Sequence, residues 1–233
     1  MAIRFTNRFS LNSNNGSSNS GIGTGGSASG AFASLNLGDH VGDNPSDVQK
    51  NRALLRDDVG PVQFMNQVHG DCIAIIEEVT DEIPTADALV TGIPGISLAV
   101  MVADCIPLLL QSPEAVAAVH VGRRGLVNDI TSKTIAVMKE MGASVITAHI
   151  GPAICGECYE VSEEIYNEVT SLHPAAASTD PGFTLDLPRA LREVLTSQSI
   201  EIVDHFSCTL ETPELFSYRR EAVTGRQAGV ISI

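Results

Sequence analysis

The sequence predicts a mixed-sheet α/β fold, and three observations lead there. Strand-like segments outnumber helical ones and do not alternate cleanly with them, which argues against a doubly wound parallel sheet. Several of those segments are apolar without alternation, the mark of strands buried on both faces. The 233 residues are 43% apolar and only 18% charged, which supplies a sizeable core and excludes wholesale disorder. That length suits one large domain or two small ones, and no internal repeat is visible.

In chain order, residues 2–9 suit a short strand. Residues 11–30 are dominated by Ser, Asn and Gly and predict a flexible insertion. Asn44-Pro45-Ser46-Asp47 reads as a helix start. Asn caps free N–H groups, Pro suits the first helical position, and Asp suits the positive end. The helix is expected to reach about Asp57, with Val48 and Leu55 inward and Arg52 on or near that face. Strands are expected over 62–68 and 72–78, split by the turn chemistry of Gly70-Asp71, so His69 falls at a strand end. The segment 85–91 follows, and then the long apolar run 96–110. Residues 115–121 predict another buried strand, closed by Gly122-Arg123-Arg124-Gly125. Residues 129–141 predict a helix with Ile130, Thr134, Val137, Met138 and Met141 on one face. A strand over 145–150 leads into a Gly-Pro loop. Ile165, Val169 and Leu172 mark the inner face of a further helix. Asp186 caps another, with Leu187, Ala190, Leu191, Val194 and Leu195 inward. Strands over 200–204 and 229–233 enclose an Arg-rich polar segment, 214–226.

Composition excludes several function classes. The net charge of −14 repels nucleic acid and anionic membranes. An anionic substrate would therefore need a local cluster of arginines. No uninterrupted apolar run is long enough to span a bilayer. The opening residues lack the charged-then-apolar layout of a signal peptide, and five cysteines, an odd number, suit reduced thiols. A cytoplasmic location is expected. With no Trp and 4% aromatics, broad stacking platforms for single strands are not expected either.

The run 96–110 sets Asp104 and Cys105 side by side in apolar chain, stopped by Pro107. Asp is almost never fully buried without a partner, whereas a free Cys often simply packs. His69, Cys105 and His120 share one context, each in or at the end of an apolar strand beside small residues. Two imidazoles and a thiolate are a ligand set for a catalytic zinc with one open position. Read singly, each histidine is equally explained as a hydrogen-bonded core or surface residue, and the long intervals give no local zinc spacing. His149, before the Gly-Pro loop, could support such a site; His40, His173 and His205 read as surface residues. Cys155-x-x-Cys158 lacks the second pair of a four-cysteine zinc site, so loop-packing cysteines are the better reading, with Cys72 and Cys208 as core thiols. No phosphate-binding glycine motif opens a helix. Arg124, Arg219 and Arg220 are the natural ligands for an oxyanion, although Arg219-Arg220-Glu221 equally suits a surface ion-pair cluster.

Several blocks together resemble the YfiH family. They are Asn66-Gln67-Val68-His69-Gly70, Ala86-Asp87-Ala88, Ala103-Asp104-Cys105-Ile106-Pro107, Ala118-Val119-His120-Val121-Gly122-Arg123-Arg124-Gly125, Ile150-Gly151-Pro152, Cys158-Tyr159-Glu160-Val161 and Ser217-Tyr218-Arg219-Arg220. The family was long labelled multicopper polyphenol oxidase or laccase-domain. It is now described as purine nucleoside phosphorylase and is also linked to peptidoglycan editing. The resemblance covers about residues 32–233, plus residues 5–8. It implies a single layered domain over 1–233, related to the catalytic domain of cytotoxic necrotizing factor toxins. It implies zinc on a catalytic set of His69, Cys105 and His120. It implies phosphorolysis of adenosine, inosine, guanosine and methylthioadenosine, with some adenosine deamination. On that reading Arg124, Arg219 and Arg220, with Arg52, hold phosphate. Gln67 joins the substrate set, Asn36 or Ser217 touches sugar or phosphate, and Asp104 fixes the geometry around the ligand cysteine. A monomer or small homo-oligomer is expected. Arg123 stands where the family usually has Trp, and the family's N-terminal Gly-Gly-Val-Ser block is blurred into the insertion.

Two rivals remain at this point. One is a metal-free Cys-His hydrolase with Cys105 activated by His120. The other is a non-enzymatic binding or editing partner. A multicopper oxidase would need many imidazoles, often as His-x-His pairs. Six histidines without such a pair do not supply them.

Overall fold

Why these residues form these elements is clearest along the chain of the computed structural model, which describes residues 2–11, 26–179 and 182–233. Strand β1 spans Ala2–Phe5 and helix α1 spans Pro45–Val59. Asn44 caps α1 through its side chain, which accepts from the Ser46 N–H, and Val48, Asn51, Arg52 and Leu55 are its buried face. Strands β2 (Val62–Gln63), β3 (Ile73–Ile75) and β4 (Ala88–Thr91) follow. The run 96–110 then divides into β5 (Ser97–Val102) and β6 (Ile106–Gln111), and β7 is Val116–Val121. Two helices come next, α2 (Arg123–Val127) and α3 (Ile130–Glu140), followed by β8 (Thr147–Ile150). Helices α4 (Glu163–Leu172) and α5 (Leu187–Ser197) precede β9 (Glu201–Asp204). The short helix α6 (Tyr218–Glu221) and β10 (Gln227–Ser232) close the chain.

The strands build two mixed sheets. The smaller has the order β1-β10-β5-β2 and the larger β3-β4-β7-β6-β8-β9. Parallel pairs (β2 with β5, β3 with β4, β8 with β9) sit at sheet edges, and the other pairs are antiparallel. Three apolar clusters stack the layers. Leu55 of α1 packs on Ala99, Met101, Ala228 and Val230 of the small sheet. Leu98, Val100 and Val102 on the other face of β5 meet Phe5, Leu89, Leu109 and Ala118 between the sheets. Leu108, Leu110, Val119 and Val121 on the far face of the large sheet meet α3 and α5. Successive side chains of a strand point to opposite faces. Here both faces are covered, which is why the run carries no alternation.

Four expectations change, and a fifth falls largely outside the described residues. The segments 62–68 and 72–78 are mostly irregular, because a short strand exists only where a neighbour pairs it and β2 finds β5 for two residues alone. Gly122-Arg123-Arg124-Gly125, expected only to close the strand, also opens a further helix, α2. Leu172, expected inside, is 57% exposed at the last turn of α4. The polar segment 214–226 contains α6. Most of the expected insertion, residues 12–25, lies outside the described residues. Residues 26–30 of it are tied down, with Ala28 buried and the Ser27 N–H donating to Asn51 Oδ1 at 2.8 Å.

Leu109 is fully buried between the sheets. Leu109→Ala is expected to cost about 2–5 kcal/mol of unfolding free energy. Leu172→Ala should fall within about 0.5 kcal/mol. Urea denaturation of the two variants measures the contrast, and equal costs would contradict this layering.

Candidate metal and substrate site

Three residues, 103–105, carry the chain from β5 in one sheet to β6 in the other. Asp104 takes φ 96° there, in the left-handed region that a non-glycine residue seldom adopts. Its carboxylate holds the strained backbone in place. Oδ1 accepts from Thr209 Oγ1 at 2.6 Å and Oδ2 from the Arg219 backbone N–H at 2.7 Å. The crossing leaves Cys105 beside two histidines. His69 comes from the irregular chain after β2, also at positive φ (58°), and His120 from the end of β7. Cys105 Sγ lies 3.9 Å from His69 Nε2, and the imidazole rings meet edge-on with centroids 4.7 Å apart. The donor atoms of His69, Cys105 and His120 all lie within 4.8 Å of one another. Gly122 keeps that space open, since a Cβ on it would sit 3.0 Å from Cys105 Sγ.

Asp87, fully buried, organises this trio. Its Oδ1 accepts from His120 Nδ1–H at 2.8 Å and from the His69 backbone N–H at 2.9 Å. Its Oδ2 accepts from the N–H groups of Gly70 at 2.6 Å and Val68 at 3.2 Å. Burial would raise its carboxyl, but the hydrogen bonds from His120 and these N–H groups hold it below the usual range. Burial likewise pushes the Cys105 thiol up. The charge of His120 and hydrogen bonds from His120 and His69 overcome that and bring it down to about 6. Burial pushes His120 down, and the Cys105 thiolate and Asp87 raise it to about 9.

The donor set suits zinc. One soft thiolate and two imidazoles converge on a point, three being the number that leaves a coordination position open. His120 donates its other ring nitrogen to a carboxylate, the support metal-binding histidines usually have. His69, Cys105 and His120 would hold the ion.

A cavity of about 400 Å³ opens on the trio, within the range of small-molecule sites. His40, Gln67, Asp104, Tyr159, Tyr218, Arg219 and Arg226 complete its wall. An adjoining cleft of about 300 Å³ shares His69, Cys105 and Tyr159 and adds Arg123 and Arg124. A larger hollow of about 520 Å³ near β3 is lined by Glu77, Glu78 and Glu82 and has no cation for an anionic ligand.

The structure separates the residues singled out in the sequence. Gln67 is at the cavity, braced to β5 by paired bonds with Met101, 2.7 and 2.9 Å. Arg219 is there too, its guanidinium 5.2 Å over the Tyr159 ring and donating to the Glu160 carbonyl at 2.9 Å. Arg220 points elsewhere and donates to the carbonyls of Thr209, Leu210, Thr212 and Leu215. Ser217 is buried and caps α6. Asn36 is buried as well, its amide oxygen accepting from the N–H groups of Gly38 and Arg226. Arg52 stacks over Phe64 at 4.1 Å and pairs with Asp39 at 3.1 Å on the α1 side. Asp87, Tyr159, Tyr218 and Arg226 were not singled out. For Asp87 the signal was there, an acid between alanines at the start of a buried strand.

The family model for multi-copper polyphenol oxidoreductase laccase matches residues 22–233. The chain belongs to the YfiH, or laccase-domain, family. A relative from Corynebacterium glutamicum named purine nucleoside phosphorylase is 44% identical over 221 residues, covering 89% of this chain and 90% of its own. One from Streptomyces griseus with the same activity in its name is 41% identical, covering 89% and 90%. Among solved structures, a Neisseria meningitidis protein superposes with TM-score 0.81 at 34% identity, covering 98% of this chain and 92% of its own. The YfiH protein of Bacillus licheniformis superposes with TM-score 0.80 at 27% identity, covering 99% and 92%. The mixed two-sheet architecture is thus the YfiH fold.

Asp87→Asn keeps the size of the side chain but removes an acceptor from a group receiving four N–H bonds. Metal affinity of the His69-Cys105-His120 set is expected to fall roughly 10–100-fold, as for other supporting carboxylates. Competition with a chromogenic chelator measures it, and an unchanged affinity would show that Asp87 does not orient His120.

Proposed function

We propose that this chain is a zinc-dependent purine nucleoside phosphorylase acting on adenosine, inosine, guanosine and methylthioadenosine. The observation that carries the reading is that Arg219 and Arg226 line the same cavity as His69, Cys105 and His120. In a chain of net charge −14, two arginines on the wall of the same cavity supply the local positive charge that an anionic substrate needs. The activity in the names of the relatives points the same way.

Phosphorolysis joins a phosphate oxygen to C1′ of the nucleoside as the bond from C1′ to the base nitrogen breaks. The bonding electron pair leaves with the base, which takes up a proton. Arg219 and Arg226 hold the phosphate, and Arg124 adds positive charge from the adjoining cleft. Arg220 and Ser217 shape the turn that presents Arg219, and Asn36 fixes the backbone of Arg226. Arg52 supports Met101 from behind, its Nη2 3.6 Å from the Met101 sulfur. Tyr218, 59% exposed at the cavity wall, offers an aromatic face to a planar base. Arg123, where the family usually has Trp, is instead paired with Glu168 at 3.1 Å. Zinc, when bound, supplies Lewis acidity toward an oxygen of substrate or water. Adenosine deamination, in which water replaces the amino group, is the second reaction proposed for this cavity.

One observation favours a second reading. Cys105, His120 and Asp87 form a chain of thiol, imidazole and carboxylate, and the thiol lies well below its ordinary range. Such a chain suits a metal-free Cys-His hydrolase acting on an amide or ester, a reading that fits a relation to the cytotoxic necrotizing factor domains.

The purified protein should contain zinc and release adenine from adenosine only when phosphate is present. Chelation should stop the reaction. His120→Ala should lower kcat/KM by more than the roughly 10–100-fold expected for losing a supporting residue. A His120→Ala protein that keeps the parent's full zinc content and its turnover would reject the assignment. Amide or ester cleavage that survives chelation and stops on alkylation would establish the hydrolase.

A further inference from the structure

Cys155-Gly156-Glu157-Cys158 lacks a second cysteine pair in the sequence, but the fold supplies other partners. The N–H groups of Cys158 and Tyr159 both donate to the Cys155 carbonyl at 3.2 Å, which curls the chain so that the two thiols face one point. Gly156 makes that turn possible, because a Cβ there would sit 2.6 Å from Asp186 Cβ. Fifty residues on, the segment holding Cys208 lies alongside. The Ala153 N–H donates to Ser207 O at 3.2 Å and the Thr209 N–H to Ala153 O at 3.1 Å. The Thr212 N–H donates to Cys208 O at 3.0 Å, and this turn brings Glu211 back over Cys208. Three thiols and a carboxylate therefore place their donor atoms within 4.8 Å of one another.

We propose that Cys155, Cys158, Cys208 and Glu211 form a second, structural zinc site, separate from the His69-Cys105-His120 set. The C-x-x-C spacing is one half of a structural zinc centre. Zinc bound by three sulfurs at about 2.3 Å and an oxygen at about 2.0–2.2 Å has donor–donor edges of roughly 3.5–3.8 Å, which the cluster reaches with small side-chain adjustments. Soft sulfur donors select zinc over magnesium or calcium. A disulfide would use two of the three thiols and leave the third and Glu211 unexplained. All of these cysteines are free thiols in the structure.

Its place in the fold gives the site a role. Tyr159 and Glu160 follow Cys158; Tyr159 lines the cavity and Glu160 O accepts from Arg219. Thr209 follows Cys208 and holds the Asp104 carboxylate, while Leu210 and Thr212 offer carbonyls to Arg220. An ion at Cys155, Cys158, Cys208 and Glu211 clamps together the two segments that form this wall.

Elemental analysis of the full chain, purified without added metal or reductant, tests the proposal. Two zinc ions per chain are expected, with one retained in His69→Ala/His120→Ala and one in Cys155→Ser/Cys158→Ser. Glu211→Gln, a surface change, should keep its circular dichroism and release one zinc to 4-(2-pyridylazo)resorcinol at least tenfold faster than the parent. A zinc-free His69→Ala/His120→Ala protein that is folded would overturn the proposal, as would a Cys155→Ser/Cys158→Ser protein with undiminished zinc. Mass spectrometry showing a disulfide among the three cysteines would overturn it too. If one zinc is found and survives in His69→Ala/His120→Ala, this site stands and the assignment of zinc to the first set fails.

Discussion

The carboxylate of Asp87 is where the backbone of one proposed ligand meets the ring of another. It accepts three N–H groups from residues 68–70 and the Nδ1–H of His120, while its own carbonyl accepts the His120 backbone N–H at 2.8 Å. Burying a carboxylate costs several kcal/mol. Hydrogen bonds to a charged group return about 1.5–3 kcal/mol each, so four of them offset that cost. The same bonds hold His69 at its positive φ and aim His120 Nε2 into the cavity. Without Asp87 two donors would come from an irregular segment and a strand end with nothing to set their spacing.

The other half of the centre depends on the crossing between the sheets. Residues 103–105 must change sheets in three steps, and the left-handed backbone at Asp104 accomplishes this. The Asp104 side chain then reaches the segment around Thr209 and the start of α6. Arg220 binds carbonyls along that same segment. Cys105, the cavity wall and Arg219 are thus positioned by one connected set of polar contacts, braced at its far end by the cysteine cluster.

Local chemistry was legible in proportion to how local it is. The caps of α1 and α5 and the periodicity of α1, α3 and α5 needed no partner to be read, and those helices lie where expected. Leu172 misled because a terminal turn can point an apolar residue past the end of its packing partner. Segments 62–68 and 72–78 misled because a strand is defined by its neighbour. Arg219 and Arg220 are adjacent and chemically alike. Only the turn of α6 sends one to the cavity and the other into a ring of carbonyls. His69, Cys105 and His120 were visible as a set through residue type and context, yet their convergence was not.

By itself the sequence determined the mixed α/β class, the double burial of the central strands and the residue types able to hold a soft cation. Those follow from composition, propensity and short-range pattern, which act within a few residues. Tertiary structure alone decided that the run 96–110 belongs to two sheets and that Asp87 supports His120. It alone decided that Cys208 and Glu211 complete what Cys155 and Cys158 begin. Each of those outcomes joins groups from 17 to more than 50 residues apart. Their approach is set by how two sheets stack, since hydrophobic burial fixes which faces meet and hydrogen bonds then fix which atoms do.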